Sequence, residues 1–195
     1  MREALEFLDR AVAGFKSLDQ LQTAAYVQVL RLYPLASLNR FEEAINTGVD
    51  TRDTLLSGGE IAAVGKVELN MGNLYWLRDQ FDEAEKFYRS ARVRFLETRE
   101  EKLLTQCENS LAVVLTARNE FREAEDIYQN ALPRAEAAGF DVTVAEIESS
   151  LGMLALSQGH YDRALQFLER ARRRYSALEM PHRLAATEKE VADCY

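Results

Sequence analysis

FDEAEKFYRSARVRF, residues 81–95, is the stretch whose reading decides the fold. Phe81, Ala84, Phe87, Tyr88, Ala91 and Phe95 recur at spacings of three and four, which places them on one face of a helix. Forty residues on, the same phases hold Phe121, Ala124, Ile127, Tyr128, Ala131 and Ala135. Forty further they hold Tyr161, Ala164, Phe167, Leu168, Ala171 and Tyr175. The alanine phase also reaches back to Ala44 and Ala4, and the opening aromatic phase to Phe41 and Met1. A fixed period of this length, with small residues locked to it, predicts a stacked helical array. No single unit can bury its own apolar face, so neighbours cover one another and present an extended surface. That favours binding over chemistry.

Immediately upstream lies a companion helix. Val64, Val67, Met71 and Leu74 form its stripe, repeated as Leu104, Cys107, Leu111, Val114 and as Val144, Ile147, Leu151, Leu154. Turn signals fall between the two helices at Arg78-Asp79-Gln80, Arg118-Asn119-Glu120 and Gln158-Gly159-His160. Others fall between units at Ser57-Gly58-Gly59, Ala138-Gly139-Phe140-Asp141 and Met180-Pro181. Each helix is then about 16–18 residues, near 25 Å long. Large residues alternate with alanine on the second helices, so a ring can sit over a neighbour's methyl and the two rods approach closely. Burying such a ring stabilises by roughly 2–3 kcal/mol, and truncating Phe121 to alanine is expected to cost about 3–5 kcal/mol. The expected fold is all-α: a right-handed superhelical array of antiparallel helix pairs, an α-solenoid of about ten helices.

Met71-Gly72, Leu111-Ala112 and Leu151-Gly152 in the first helices, followed by the aromatic and alanine series in the second, resemble the tetratricopeptide repeat family. The resemblance is close from Glu60 to Tyr195 and weaker before. The family's usual unit is shorter, so the chain is similar to its long-helix subclass, as in kinesin light chains and bacterial multidomain regulators. The family's early Trp is replaced by Glu68, Glu108 and Glu148. The resemblance implies a non-catalytic scaffold that binds protein segments on the concave wall lined by its first helices.

The chain reads as a single array over 1–195, regular from 60 and divergent over 1–59. In the divergent part Arg31 falls at the phase of Met71 and Pro34 at that of Leu74. A mid-helix proline removes one backbone bond and clashes with the preceding turn, at about 3 kcal/mol, so a kinked, repacked helix is expected near Pro34. Thr47-Gly48 replaces an aromatic pair in the next helix. The chain starts at a second-helix phase and stops inside a first helix, where Leu184, Val191 and Cys194 continue the core stripe. A piece of a longer protein is expected.

Composition excludes several classes. Charged residues are 29% and apolar ones 47%, with net charge −8, three Pro and nine Gly. An acidic chain lacks the clustered Lys/Arg surface that nucleic acid requires, and the run Arg170, Arg172, Arg173, Arg174 reads as a solvated face beside Glu169. No apolar stretch approaches the ~20 residues of a membrane helix, and no secretory leader is visible. Cys107 and Cys194 form no metal or disulfide motif; Cys107 reads as core filler, and His160 and His182 as turn residues. The default setting is reducing and cytoplasmic. No catalytic, cofactor or metal constellation is present in the pattern.

The positions beside the core stripe are the candidate partner-binding residues. They are Lys66, Leu69, Asn73 and Trp76; Gln106, Asn109, Val113 and Thr116; Glu146, Ser149, Met153 and Leu156; and, in the divergent unit, Tyr26, Val29 and Tyr33. Asparagine amides can pair with a ligand's backbone and Trp76 can act as an anchor; Trp76→Ala is therefore expected to weaken binding without loss of stability. The ladder Glu68, Glu108, Glu148, Glu188 is expected to pair with Arg or Lys of adjacent helices. The leading function is a protein or peptide scaffold. The alternatives are a regulatory arm of a larger enzyme or signalling protein, and self-association through the terminal helices.

Overall fold

Nine residues spaced twenty apart, from Asp19 to Glu179, hold φ between 53° and 76°. Each is a left-handed stop that reverses the chain after a helix. At Asp79, for example, the Asp79 and Gln80 amides donate to the carbonyls of Trp76 and Tyr75, both at 3.0 Å. Gly59, Gly139 and Gly159 take this conformation without strain, and Asn39, Asn119, Asp19 and Asp79 tolerate it. Arg99 and Glu179 do not have that excuse. Arg99→Gly or Glu179→Gly is expected to raise the unfolding free energy by about 0.5–1 kcal/mol, measurable as an increased denaturant midpoint at constant slope.

Between these stops the computed structural model, which describes residues 2–195, places eleven helices and no strand among the described residues. They are α1 (Arg2–Ser17), α2 (Leu21–Val29), α3 (Leu32–Ser37), α4 (Phe41–Ser57), α5 (Ile61–Trp76), α6 (Phe81–Thr98), α7 (Glu101–Ala117), α8 (Phe121–Ala137), α9 (Asp141–Ser157), α10 (Tyr161–Ala177) and α11 (Pro181–Ala192). Met1, which shares the phase of Phe41, lies outside the described residues. Contacts divide the chain into two compact units, one up to Glu101 and one from Lys102 to Tyr195. In the first, α1 packs on α2, α2 and α3 on α4, α4 on α5 and α5 on α6. In the second, α8 packs on α9, α9 on α10 and α10 on α11.

The eleventh helix comes from the divergent region. The expected kink near Pro34 is a full break at Leu30-Arg31, so the Leu30 carbonyl, four residues back, escapes the clash with the proline ring. Leu30 and Arg31 make tight bonds to the carbonyls of Val27 and Gln28, at 3.1 and 3.0 Å. Pro34 then falls in the first turn of α3, where a missing amide hydrogen costs nothing. Arg31, at a core phase, is mostly covered and pairs with Asp9 at 2.8 Å. Opposite Gly48, an added Cβ would meet Met71 Cγ at 2.9 Å, so the Met71 side chain fills the space an aromatic pair fills elsewhere.

The helix pairs interlock by ring over glycine. A Cβ on Gly72 would come within 2.5 Å of the Tyr88 ring, on Gly65 within 2.7 Å of Phe95, and on Gly152 within 2.5 Å of Leu168. Ala84, Ala91, Ala124, Ala131, Ala164 and Ala171 are fully buried. The depth of the stripe differs from the expectation at two phases: Phe87, Ile127 and Phe167 are half-buried, and the opening phase lies shallower than expected. Phe81 and Phe121 are only half-buried and Tyr161 is 56% exposed, because the first residue of a second helix lies beside the turn rather than between rods. The large effect expected for Phe121→Ala therefore belongs to Tyr88 and Tyr128. Cys107 is buried in the core as expected.

Candidate functional site

The acidic ladder is structural. Glu68, Glu108 and Glu148 are buried, and each meets an arginine 26 residues later on the second helix of its pair. Arg94 stands 3.9 Å from Glu68, Arg134 bonds Glu108, and Arg174 Nε donates to Glu148 at 2.9 Å. A second cation, Arg170, approaches Glu148 to 2.7 Å. The arginine run is thus not a merely solvated face: Arg170 and Arg174 neutralise a carboxylate inside the pair, while Arg172 pairs with Glu169 at 2.8 Å. Burial pushes the Glu68 carboxyl above its usual range, against the lowering effect of a Ser90 hydrogen bond and of Arg94. In the divergent unit Gln28 and Thr54 stand at the phases of Glu68 and Arg94, so both charges are lost together. Glu188 on α11 is exposed.

In the unit up to Glu101, the candidate residues are carried by α2, α3 and α5. Inward-facing Ala24, Ala25, Leu32 and Leu35 are buried, which leaves Tyr26 and Tyr33 outward, at 44% and 64% exposed; Val29 is half-buried. Leu30 lies between them in sequence and is 62% exposed. The three follow spacings of four and three across the α2–α3 break. Leu30 stands at the break itself, outside either helix, where the forty-residue period does not say which way a side chain faces. Tyr26 donates to a Glu60 carboxylate oxygen at 2.7 Å, and that bond, with burial, raises the phenol's pKa. On α5, Lys66 and Asn73 are exposed and Leu69 and Trp76 half-buried.

Two of the expected roles change on contact with the structure. Asn73 Oδ1 accepts a hydrogen bond from the Tyr88 hydroxyl at 2.7 Å, so only its amino group is left to offer outward. Trp76 packs against Phe81 with ring centroids 5.2 Å apart. It therefore braces the α5–α6 turn, so Trp76→Ala is expected to lower stability to some extent as well. A depression of about 320 Å³ between α4 and α5 is lined by Phe41, Ile45, Leu74, Tyr75 and Arg78, with Glu42, Gln80 and Glu83. Arg78 lies over the Phe41 ring and pairs with Glu42 at 3.1 Å.

In the unit from Lys102, Gln106, Asn109, Val113 and Thr116 on α7 are half-buried. Asn109 Oδ1 is enclosed without a hydrogen-bond partner. On α9, Glu146 is held by Arg183 at 3.0 Å and Ser149 donates to Glu190 at 3.2 Å, so α11 occupies both. Burial raises the carboxyl pKa of Glu146 and of Glu190. Met153 is exposed and Leu156 half-buried; Val142, which the stripe did not single out, is also exposed. Leu184 packs against Ala145, Ala171 and Tyr175, and Val191 and Cys194 are half-buried. The open face of α11 is accordingly Ala185, Glu188 and Ala192, not the stripe expected there. No group of three or more His, Cys, Asp or Glu among the described residues could hold a metal ion, and no described helix is long and apolar enough to cross a membrane.

Comparison with known proteins joins these features. The chain superposes over 100% of its length on BtubC (BKLC) from P. vanneervenii, at TM-score 0.84 and 19% identity, covering 82% of that protein. It matches kinesin light chain TPR-like repeats of Podosopora anserina at TM-score 0.72 and 13% identity, over 91% of this chain and 88% of that one. It also matches the Rap conjugation gene regulator of plasmid pLS20, solved with the Phr* peptide, at TM-score 0.69 and 16% identity, over 93% of this chain. Of that regulator's length it spans only about half, 53%. At such identities these likenesses speak for the fold. Comparison with curated proteins gives no match. The tetratricopeptide repeat profile matches residues 63–137 and 105–177, more than half of the chain. With a profile match over more than half of its length and an array of antiparallel helices, the chain belongs to the tetratricopeptide repeat family.

Proposed function

We propose that this chain is a non-catalytic protein-interaction module that binds a peptide or partner helix on the exposed faces of its first helices. The observation that carries this reading is the row Tyr26, Leu30 and Tyr33. Three large side chains, Tyr26 on α2, Leu30 at the break and Tyr33 on α3, are each about half exposed or more, and the core needs none of them. Such a row suits a partner helix or an extended segment that contributes apolar anchors. Lys66 and the Asn73 amino group on α5 add polar contacts in the same unit. Rap proteins solved with a Phr* peptide and with competence and sporulation factor support a peptide as the class of partner. The two free cysteines fit a reducing, cytoplasmic setting. The second reading, a regulatory arm of a larger signalling protein, draws on the same neighbours, one of which is a conjugation gene regulator.

Peptides selected from a random displayed library against the protein give the test. Leu30→Ala with Tyr33→Ala is expected to weaken the selected binders by about tenfold or more. Because both side chains are exposed, the thermal midpoint stays within a few degrees. Binders that hold both variants equally well would place the partner surface elsewhere.

A further inference from the structure

In the unit from Lys102, Arg163 on α10 pairs with Glu125 on α8 and lies over the Phe167 ring. Eighty residues earlier, in the unit up to Glu101, the same two phases hold Glu83 and Ile45. The base has become an acid and the acid has become apolar. Both line the depression of about 320 Å³ between α4 and α5.

Phe41, Ile45, Leu74 and Tyr75 give that depression apolar walls, and Phe87 stacks on the Tyr75 ring at 5.4 Å, which holds it in place. Glu83 is half-buried in the first turn of α6, where the helix dipole favours its charged form. It has no ion pair or hydrogen bond among the described residues. The pKa of the Tyr75 phenol is raised first by burial and then by Glu83 and Glu42, so both carboxylates act on the same ring. Arg78 already lies over Phe41 at 5.3 Å with Glu42 at 3.1 Å, a guanidinium on a ring beside a carboxylate. That base answers one of the two acids and leaves a negative charge over. We propose that the depression binds an arginine side chain of a basic peptide segment, its guanidinium taking Glu83 and Tyr75 while Arg78 keeps Glu42 and Phe41. A planar guanidinium suits both partners, since it can bond a carboxylate through two parallel donors and lie flat on a ring. A lysine ammonium is a compact, strongly hydrated charge and fits less well. The volume is at the lower end for a small-ligand pocket, room for one side chain. A net charge of −8 draws basic segments to the surface. None of these residues belongs to the row Tyr26, Leu30 and Tyr33, and the site does not rest on that row.

Titration of a capped glycine-arginine-glycine peptide into the protein, followed by NMR shifts, gives the test. A Kd of about 1 mM or tighter is expected, with the shifts centred on Tyr75 and Glu83. Citrulline in place of arginine keeps the shape and loses the charge, and should weaken binding by about tenfold or more. Lysine should weaken it by about threefold or more. Glu83→Gln is expected to cost about tenfold, and Glu83→Arg to abolish binding by putting back the base that Arg163 supplies in the other unit. Melting and helix content control for the fold of both variants, and the citrulline comparison needs no variant at all. Leu30→Ala with Tyr33→Ala should leave this binding unchanged, so failure of that row and failure of this site are read separately. No binding, citrulline bound as tightly as arginine, shifts away from Tyr75, or folded Glu83→Gln protein that binds as before would each overturn the proposal. So would guanidinium ion alone binding as tightly as the peptide.

Discussion

Tyr88→Ala is expected to lower the unfolding free energy by about 3–5 kcal/mol. The ring is 2% exposed and fills the space opposite Gly72, within 2.5 Å of where a Cβ would stand. Truncation leaves a hole that the glycine, with no side chain to move into it, cannot fill. Tyr88→Phe separates packing from polarity. It keeps the ring and removes the hydroxyl with its 2.7 Å bond to Asn73, an exposed residue that water can satisfy, so about 1 kcal/mol is expected. Equilibrium denaturation reports both. A loss below about 1 kcal/mol for the alanine variant would mean that the ring does not hold the pair together. The half-buried Phe121 should cost clearly less than Tyr88 when truncated in the same way.

The second large effect comes from charge. Arg170→Ala combined with Arg174→Ala strands Glu148, a carboxylate with no exposed surface, and is expected to cost about 3–5 kcal/mol at neutral pH. Either substitution alone should cost much less, because the remaining guanidinium stays within 3 Å of the carboxylate. Adding Glu148→Met to the double variant should recover most of the loss. The penalty is that of an unpaired buried charge, and an apolar side chain of similar size removes it. If the triple variant is as unstable as the double, the arginines matter through their packing and not through Glu148. This outcome bears on the whole family of pairs here, since Glu68 with Arg94 and Glu108 with Arg134 occupy the same phases.

The ladder shows how far pattern alone can go. Four glutamates at one phase were legible, and so was the expectation that basic side chains of adjacent helices pair with them. Which arginines do so was not, because a partner 26 residues away is adjacent only after the chain has reversed at a left-handed residue. The same limit governed the candidate surface. Glu146 and Ser149 stood at an open phase, yet Arg183 and Glu190 of the following helix cover them. Asn73 looked available and is half committed to Tyr88. Leu184 continued a stripe that looked bare and packs into the α9–α10 core.

What the sequence determined by itself was everything carried by period: helix after helix, the turns between them, the small residues under the rings, and hence the tetratricopeptide family. Period is legible because the same local interactions recur with the same spacing, and each recurrence reinforces the reading. Only the tertiary structure decided where the helix breaks ahead of Pro34, how deep each ring lies, and which side chains remain open. Those depend on contacts between residues far apart in the chain, where one substitution such as Arg31 for a core apolar residue changes what its neighbours can reach.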